Sequence, residues 1–204
     1  QVATPEGYAR NPELVINFYN ERRKQLLDVV PNAGHLGVAD LERDFNVTVV
    51  TQNVDNLHER AGSTHVIHLH GELTKVCSSR DPYNPHFVKE LAPEEYEVKL
   101  GDKAGDGTQL RPFIVWFGES VPEIETAIRY VEQADIFVII GTSLNVYPAA
   151  GLLNYVPRAA EVYLIDPKPV DTHVMRPIHV IQKGASEGVK ELKALLTVTQ
   201  PPLP

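Results

Sequence analysis

Apolar runs separated by helical segments are the feature that most constrains how this chain folds. Residues 113–117 and 136–140 are unbroken apolar stretches, typical of strands buried on both faces of a parallel sheet. Strands that alternate with helices predict an α/β fold: a mostly parallel sheet with helices on both faces. The other strands are expected at 162–165 and 178–181, and the helices between them at 122–133, 149–156 and 186–196.

The N-terminal part of the chain predicts two helices and a strand. Asn11 followed by Pro12 is a favourable start for a helix that runs to about residue 29. A second helix is expected over residues 35–45, and a β-branched strand over 47–51. The first helix has a stripe at helical spacing that places one charged residue among apolar ones: Val15, Phe18, Tyr19, Arg22 and Leu26.

Net charge and cysteine content limit the partners and the compartment. The 204 residues carry a formal net charge of −8 at pH 7, which argues against binding to nucleic acid or to an anionic membrane. A basic, lysine-bearing protein is a compatible partner. The single cysteine, Cys77, excludes an internal disulfide framework and fits a reducing compartment. We therefore expect a cytoplasmic monomer that binds neither nucleic acid nor membrane.

Polar residues follow three of the predicted strands, at the sheet edge where open α/β sheets bind their ligands. Carboxylates there can accept from ribose hydroxyls, and backbone N–H groups and hydroxyls can bind phosphate oxygens. These groups predict a nucleotide site, although turn formation alone also accounts for any single one of them. They are Gln52, Asn53 and Asp55 after the first strand, Gly141, Thr142 and Ser143 after residues 136–140, and Asp166 after residues 162–165.

The sequence His68-Leu69-His70-Gly71 offers a second kind of chemistry. A histidine directly before a glycine can lie on a tight loop, and imidazole is the usual general base near neutral pH. The alternative is a structural histidine, since the chain has eight of them. Residue type and spacing do not decide which one acts.

Four motifs follow one another along the chain. They are TQNVDNLH at 51–58 followed by Ala61-Gly62, HLHG at 68–71, FIVWFGE at 113–119, and Gly141-Thr142-Ser143 followed by VYPAA at 146–150. In their order and separations they resemble the sirtuins, a family of NAD-dependent protein-lysine deacylases, and the resemblance runs from about Ala3 to Leu196.

The resemblance implies NAD as the cofactor and His70 as the general base, which takes a proton from the ribose next to nicotinamide. The implied products are deacylated lysine, nicotinamide and O-acyl-ADP-ribose. Gln52, Asn53 and Asp55 match the nicotinamide and ribose pocket. The other cofactor-binding candidates are Gly141, Thr142, Ser143, Asp166 and Ala185.

The same resemblance implies that an acylated peptide inserts as an extra strand between two backbone segments. The residues implied to bind it are Val115, Phe117, Gly118 and Glu119 in one segment, and Asn145, Val146 and Tyr147 in the other.

Three residues resemble the sirtuins that prefer malonyl, succinyl and glutaryl lysine. Tyr19 and Arg22 match the Tyr-x-x-Arg pair that binds the distal carboxylate, and Ala3 matches the small residue that widens the acyl pocket. A guanidinium binds a carboxylate bidentately and disfavours acetyl because its own charge then stays unpaired. The alternative is that Arg22 extends to solvent from an ordinary surface helix.

The chain departs from the family pattern in two places. Most sirtuins hold zinc with two Cys-x-x-Cys pairs, whereas residues 77–111 contain only Cys77 and His86 as candidates, so we expect no zinc. The family's N-terminal strand and Gly-Ala-Gly-x-Ser phosphate loop have no counterpart here. We expect that the natural protein has this segment upstream of Gln1.

The resulting domain prediction is a Rossmann-like catalytic domain with a small insertion. The catalytic domain comprises residues 1–76 and 112–197, the subdomain without a zinc site residues 77–111, and a disordered tail residues 198–204. Two other functions use the same features: protein ADP-ribosyl transfer, which cleaves NAD for another acceptor, and a catalytically impaired module that binds ADP-ribose or acyl-peptide.

Overall fold

The computed structural model describes residues 1–142, 149–171 and 174–198. The α-helices are α1 Pro5–Arg10, α2 Pro12–Leu26, α3 Ala33–Asp40, α4 Leu57–Ala61, α5 Ile124–Val131, α6 Ala149–Leu152 and α7 Ala185–Val198. The strands are β1 Val49–Thr51, β2 Val66–His68, β3 Gly71–Ser78, β4 Lys89–Glu90, β5 Leu110–Ile114, β6 Ile136–Ile140, β7 Glu161–Ile165 and β8 His179–Ile181. Short 3₁₀ helices cover Leu41–Arg43, Pro85–Phe87, Pro93–Glu95 and Leu153–Tyr155. In the described ranges, every helix is too short or too polar to cross a membrane.

The chain divides into two compact units. The first unit comprises Gln1–Val30, Val50–Asn56 and His68–Glu123, and the second comprises Pro31–Val49, Leu57–Ile67 and Ile124–Pro204. The predicted subdomain, residues 77–111, falls within the first unit, and its boundaries stay a prediction. In the tail predicted from residue 198, Val198 ends α7, and residues 199–204 lie outside the described residues.

The second unit contains the parallel sheet expected of an α/β fold. Its strand order is β6-β7-β8, with both pairs parallel. On strand β7, Tyr163 and Ile165 face one side of the sheet, and Val162 and Leu164 face the other. All four are at most 5% exposed, so both faces of the strand are buried. The core that includes Tyr163 and Ile165 is completed by Leu41 from the segment after α3, by Ile181 from β8, and by Val189, Leu192 and Leu196 from α7.

The first unit contains an antiparallel sheet that the sequence interpretation missed. Its strand order is β4-β3-β5, and β3 pairs antiparallel with both neighbours. The expectation that residues 113–117 form a strand of the parallel sheet is wrong, because β5 ends at Ile114 and pairs with β3. The polar composition of β3, with Glu72, Thr74 and Lys75, hides this partner from a search for apolar runs.

Helix α2 begins where the sequence predicts, but its buried face differs from the predicted stripe. The Asn11 side chain caps it by accepting from the Leu14 N–H, and Pro12 occupies the first turn. Arg23, only 3% exposed, is the buried cation, and Arg22 is exposed. The Arg23 guanidinium donates to Tyr96 O at 2.8 Å and to Leu73 O at 3.3 Å. Backbone carbonyls far away in sequence therefore allow the charge to be buried.

Most of the remaining predicted elements are confirmed with shifted ends. Residues 136–140 form β6 with the predicted bounds, and the helix expected at 186–196 is α7. Within residues 77–111, Val98 and Leu91 pack with Ile16 and Val76, whereas Leu100 is 56% exposed. Helix α1 was not predicted, because Thr4 and Pro5 are the only start signals of a six-residue helix.

Candidate active site

His70 lies in the tight turn between β2 and β3, in the first unit. Val115 donates its N–H to His70 O at 2.9 Å, which ties the turn to the segment after β5. Gly71 has φ of +87°, and a Cβ there would lie 2.1 Å from the Phe113 carbonyl oxygen. Only glycine satisfies both the positive φ and this close approach. Burial lowers the pKa of His70 below 6.5, so the imidazole is neutral near pH 7.

The segment after β1 is hydrogen-bonded to the same turn. Leu69 N donates to Thr51 O at 3.0 Å, and Asn53 O lies 3.1 Å from His68 Nδ1. The buried Thr51 hydroxyl accepts from Asn53 N at 3.0 Å and shapes the bend after the strand. Gln52, Asn53 and Asp55 therefore lie on a backbone segment that is fixed against the residues around His70.

The residues after β5 include most of the predicted peptide-binding side. The Phe117 side chain is 80% exposed, and its N–H donates to Ala3 O at 3.0 Å. Gly118 is also exposed. Because Val115 is also hydrogen-bonded to His70, the segments that carry Ala3, Phe117 and His70 are joined by backbone hydrogen bonds. Exposed apolar surface on such a segment suits contact with a peptide.

Beneath this segment lies a buried cluster that sequence reasoning missed. The Arg111 guanidinium stacks 3.8 Å above the Trp116 ring and pairs with Glu119 at 3.1 Å. Tyr83 donates its hydroxyl to the same Glu119 carboxylate. Burial and this carboxylate raise the pKa of Tyr83 well above its ordinary value. The Glu119 side chain is thus part of the cluster, and the one available signal was that Trp116 is the sole tryptophan of the chain.

Tyr19 and Arg22 lie on α2 in different surroundings. Tyr19 is 6% exposed, and its hydroxyl accepts from Trp116 Nε1 at 3.1 Å. Burial raises the pKa of Tyr19, and the charges of Arg111 and Arg22 partly offset that rise. The exposed Arg22 places its guanidinium 5.1 Å from the centroid of Phe18, whose ring meets the Tyr19 ring edge to face.

The second unit holds the other cofactor candidates. Gly141 and Asp166 follow the carboxyl ends of the adjacent parallel strands β6 and β7, where nucleotides bind in such sheets. Gly141 has φ of +65°, and no atom of the described residues lies within 4 Å of the position a Cβ would take, so a ligand can approach its backbone. Thr142 follows it, and Ala185 is the first residue of α7. Ser143, Asn145, Val146 and Tyr147 lie outside the described residues.

A sequence model of the Sir2 family matches residues 1–148. The chain belongs to the Sir2 family. An NAD-dependent protein deacylase of Bacteroides thetaiotaomicron is 83% identical over 196 residues, which cover 96% of this chain and 84% of that protein. A Helicobacter pylori NAD-dependent protein deacylase is 47% identical over 192 residues, covering 94% of this chain and 81% of its own length.

Solved Sir2 family structures share the fold of this chain. A crystal structure of a Sir2 homolog–NAD complex superposes with a TM-score of 0.83 at 34% identity, covering 97% of this chain and 77% of that one. The mixed α/β, Rossmann-like fold with a small insertion is therefore confirmed. NAD is the cofactor of this Sir2 family chain, and the open backbone at Gly141 is compatible with a nucleotide.

Proposed function

We propose that this chain removes acidic acyl groups, succinyl and malonyl, from protein lysines, with weaker activity on acetyl-lysine. The coarser function is that of its family: the chain is an NAD-dependent protein deacylase. The preference for acidic acyl groups rests on Tyr19 and Arg22, which lie one helical turn apart on α2.

The residues around His70 suit the base of this reaction. NAD, when bound, would supply the ribose carbon with which the acyl oxygen forms a bond as the bond to nicotinamide breaks. In this proposal His70 accepts the proton of a ribose hydroxyl, and its lowered pKa keeps the imidazole neutral and able to do so near pH 7. One water is consumed when the lysine amine is released, and the expected products are nicotinamide, O-acyl-ADP-ribose and free lysine.

The acyl preference is supported by the surroundings of Arg22. Its guanidinium is exposed and lies over the Phe18 ring, which contacts Tyr19. A succinyl carboxylate can pair with Arg22 and accept from a phenolic hydroxyl, whereas acetyl has no distal group to do either. Ala3 adds little side-chain volume beside Phe117, to which its carbonyl is bonded.

The decisive experiment compares kcat/KM of the full-length enzyme on acetyl, malonyl and succinyl versions of one peptide. We expect succinyl to exceed acetyl by at least about tenfold, as for one hydrogen bond to a charged group. Arg22→Met should reverse that order. Equal rates on all three peptides would sink the acidic-acyl proposal.

Arg23→Met is the matched control, because it removes the same charge from the next residue of α2. Arg23 bonds backbone carbonyls within the first unit, so its loss should lower stability and leave the succinyl-to-acetyl ratio unchanged. If the succinyl-to-acetyl ratio falls equally in Arg22→Met and Arg23→Met, the effect comes from general damage to α2.

Product analysis tests the reaction type. Mass spectrometry should find O-acyl-ADP-ribose and no ADP-ribosylated protein. Peptide binding without turnover by the full-length protein would contradict the deacylase assignment.

A further inference from the structure

We propose that Trp116 is a positioning residue for acyl selectivity: its indole N–H fixes the Tyr19 hydroxyl so that the phenolic proton is presented to the acyl carboxylate. This inference rests on the proposed function, because it gives Tyr19 a role in recognising an acidic acyl group. Trp116 itself does not contact the acyl group in this proposal.

The direction of the hydrogen bond carries the argument. Trp116 Nε1 lies 3.1 Å from the Tyr19 hydroxyl oxygen, and the two residues are 2% and 6% exposed. An indole N–H can only donate, so the Tyr19 oxygen must accept. The hydroxyl proton is thereby directed away from Trp116 and stays available to a second acceptor. Without the indole N–H, the hydroxyl is free to rotate.

Two side chains pack against the ring of Trp116. The Arg111 guanidinium stacks 3.8 Å above it, and the Tyr8 ring packs against it with 5.3 Å between centroids. Arg111 is itself fixed by Ile114 O at 2.8 Å and by the Glu119 carboxylate at 3.1 Å. This packing and the burial of Trp116 restrain the indole, so the position of its N–H is defined before substrate binds.

The arrangement favours an anionic acceptor. A hydroxyl that accepts a hydrogen bond becomes a better donor, because bonds in a chain polarise one another. Burial raises the pKa of Tyr19, so the hydroxyl keeps its proton at neutral pH, and the nearby Arg22 charge attracts an anion toward that hydroxyl. A succinyl or malonyl carboxylate accepts this proton, and an acetyl methyl group cannot.

The first test is Trp116→Phe in the full-length enzyme, which keeps an aromatic ring for Arg111 and Tyr8 but removes the N–H. We expect the succinyl-to-acetyl ratio of kcat/KM to fall by about fivefold, mostly through a higher KM for the succinyl peptide. Activity on the acetyl peptide should stay within about twofold. Tyr8→Phe is the matched control, since it removes a hydroxyl beside the same ring and should leave the ratio unchanged.

A second test asks whether Trp116 acts through Tyr19. In a Tyr19→Phe background, adding Trp116→Phe should change the ratio no further, because the hydroxyl that the indole positions is already gone. An undiminished fivefold effect in that background would overturn the inference.

A third test is independent of activity. Trp116 is the sole tryptophan among the 204 residues, so its indole N–H signal in ¹⁵N NMR is assigned by its loss in Trp116→Phe. Hydrogen exchange of this N–H should be slow in the parent protein and clearly faster in Tyr19→Phe. Equal exchange rates contradict the hydrogen bond.

The outcomes separate the two claims. A parent enzyme that turns over succinyl and acetyl peptides equally overturns the proposed preference, and this inference with it. A parent that prefers succinyl while Trp116→Phe keeps the full preference overturns the positioning role alone.

Discussion

Arg111 and Glu119 form an ion pair at 3.1 Å with side chains only 6% and 12% exposed. Arg111 lies in β5, and Glu119 follows the exposed segment of Phe117 and Gly118, so the pair fixes both ends of that segment. The same guanidinium stacks on Trp116. The Arg111 guanidinium thus supports both the predicted peptide-binding segment and the residue that contacts Tyr19.

Arg111→Met should therefore lower the free energy of unfolding by about 3 kcal/mol, because it leaves the Glu119 carboxylate buried without its cation. Chemical denaturation measures the loss. Arg129→Met, at an exposed position of α5, is the control and should change stability by less than about 0.5 kcal/mol. Equal losses in the two variants would contradict a structural role for the buried pair.

Arg23→Met should also destabilise the protein, by about 2 kcal/mol or more, since Tyr96 O, Leu73 O and the Asn20 amide oxygen lose a donor. Arg22→Met, one residue away and exposed, should be nearly neutral in stability. Thermal unfolding of the two variants checks the difference. A larger loss for Arg22→Met would show that the buried face of α2 has been assigned wrongly.

The parts of the fold that follow from local sequence were predictable. Asn11 and Pro12 predicted the start of α2, and residues 136–140 predicted β6, because capping and burial of an apolar run depend on neighbouring residues. The strand at residues 113–117 was misplaced because its partner is the mixed-polarity β3, which carries no apolar run.

Contacts between residues distant in sequence were not predictable from one sequence. Arg23 is buried because carbonyls at Leu73 and Tyr96, 50 and 73 positions away, accept from it. The Tyr19–Trp116 hydrogen bond spans 97 positions. The sequence resemblance named Tyr19 as a site residue, but only the structure shows which group bonds its hydroxyl.

Gly71→Ala should destabilise the protein by about 1–3 kcal/mol and reduce kcat/KM, because the added Cβ would meet the Phe113 carbonyl oxygen at 2.1 Å and displace the turn that carries His70. Gly101→Ala is the control. Gly101 also has positive φ, +101°, but no atom of the described residues lies within 4 Å of its Cβ position, so it reports the backbone cost alone. A loss at Gly71 no larger than at Gly101 would contradict the steric argument.

Metal analysis of the purified protein should find no stoichiometric zinc, and a chelator should not change its Tm. Cys77 is fully buried and its thiol donates to Pro112 O at 3.7 Å. Burial raises the pKa of this thiol to about 12, so the thiolate that zinc requires is disfavoured. One equivalent of zinc that resists dialysis in the parent and is absent from Cys77→Ser would contradict this prediction.

The pH dependence of catalysis should report the lowered pKa of His70. Burial disfavours the imidazolium, so the folded enzyme releases this proton below the ordinary 6.5, and the base is active above that lower pKa. We expect kcat/KM on the succinyl peptide to be constant near pH 7 and to fall toward acid with a midpoint below 6.5.

The same shift affects stability. Because the unfolded chain binds this proton more readily, the free energy of unfolding should also decline as pH falls below 6.5. His70→Gln should lose turnover at every pH, and an acid midpoint above 6.5 in the parent would contradict the assignment of His70 as a buried, neutral base.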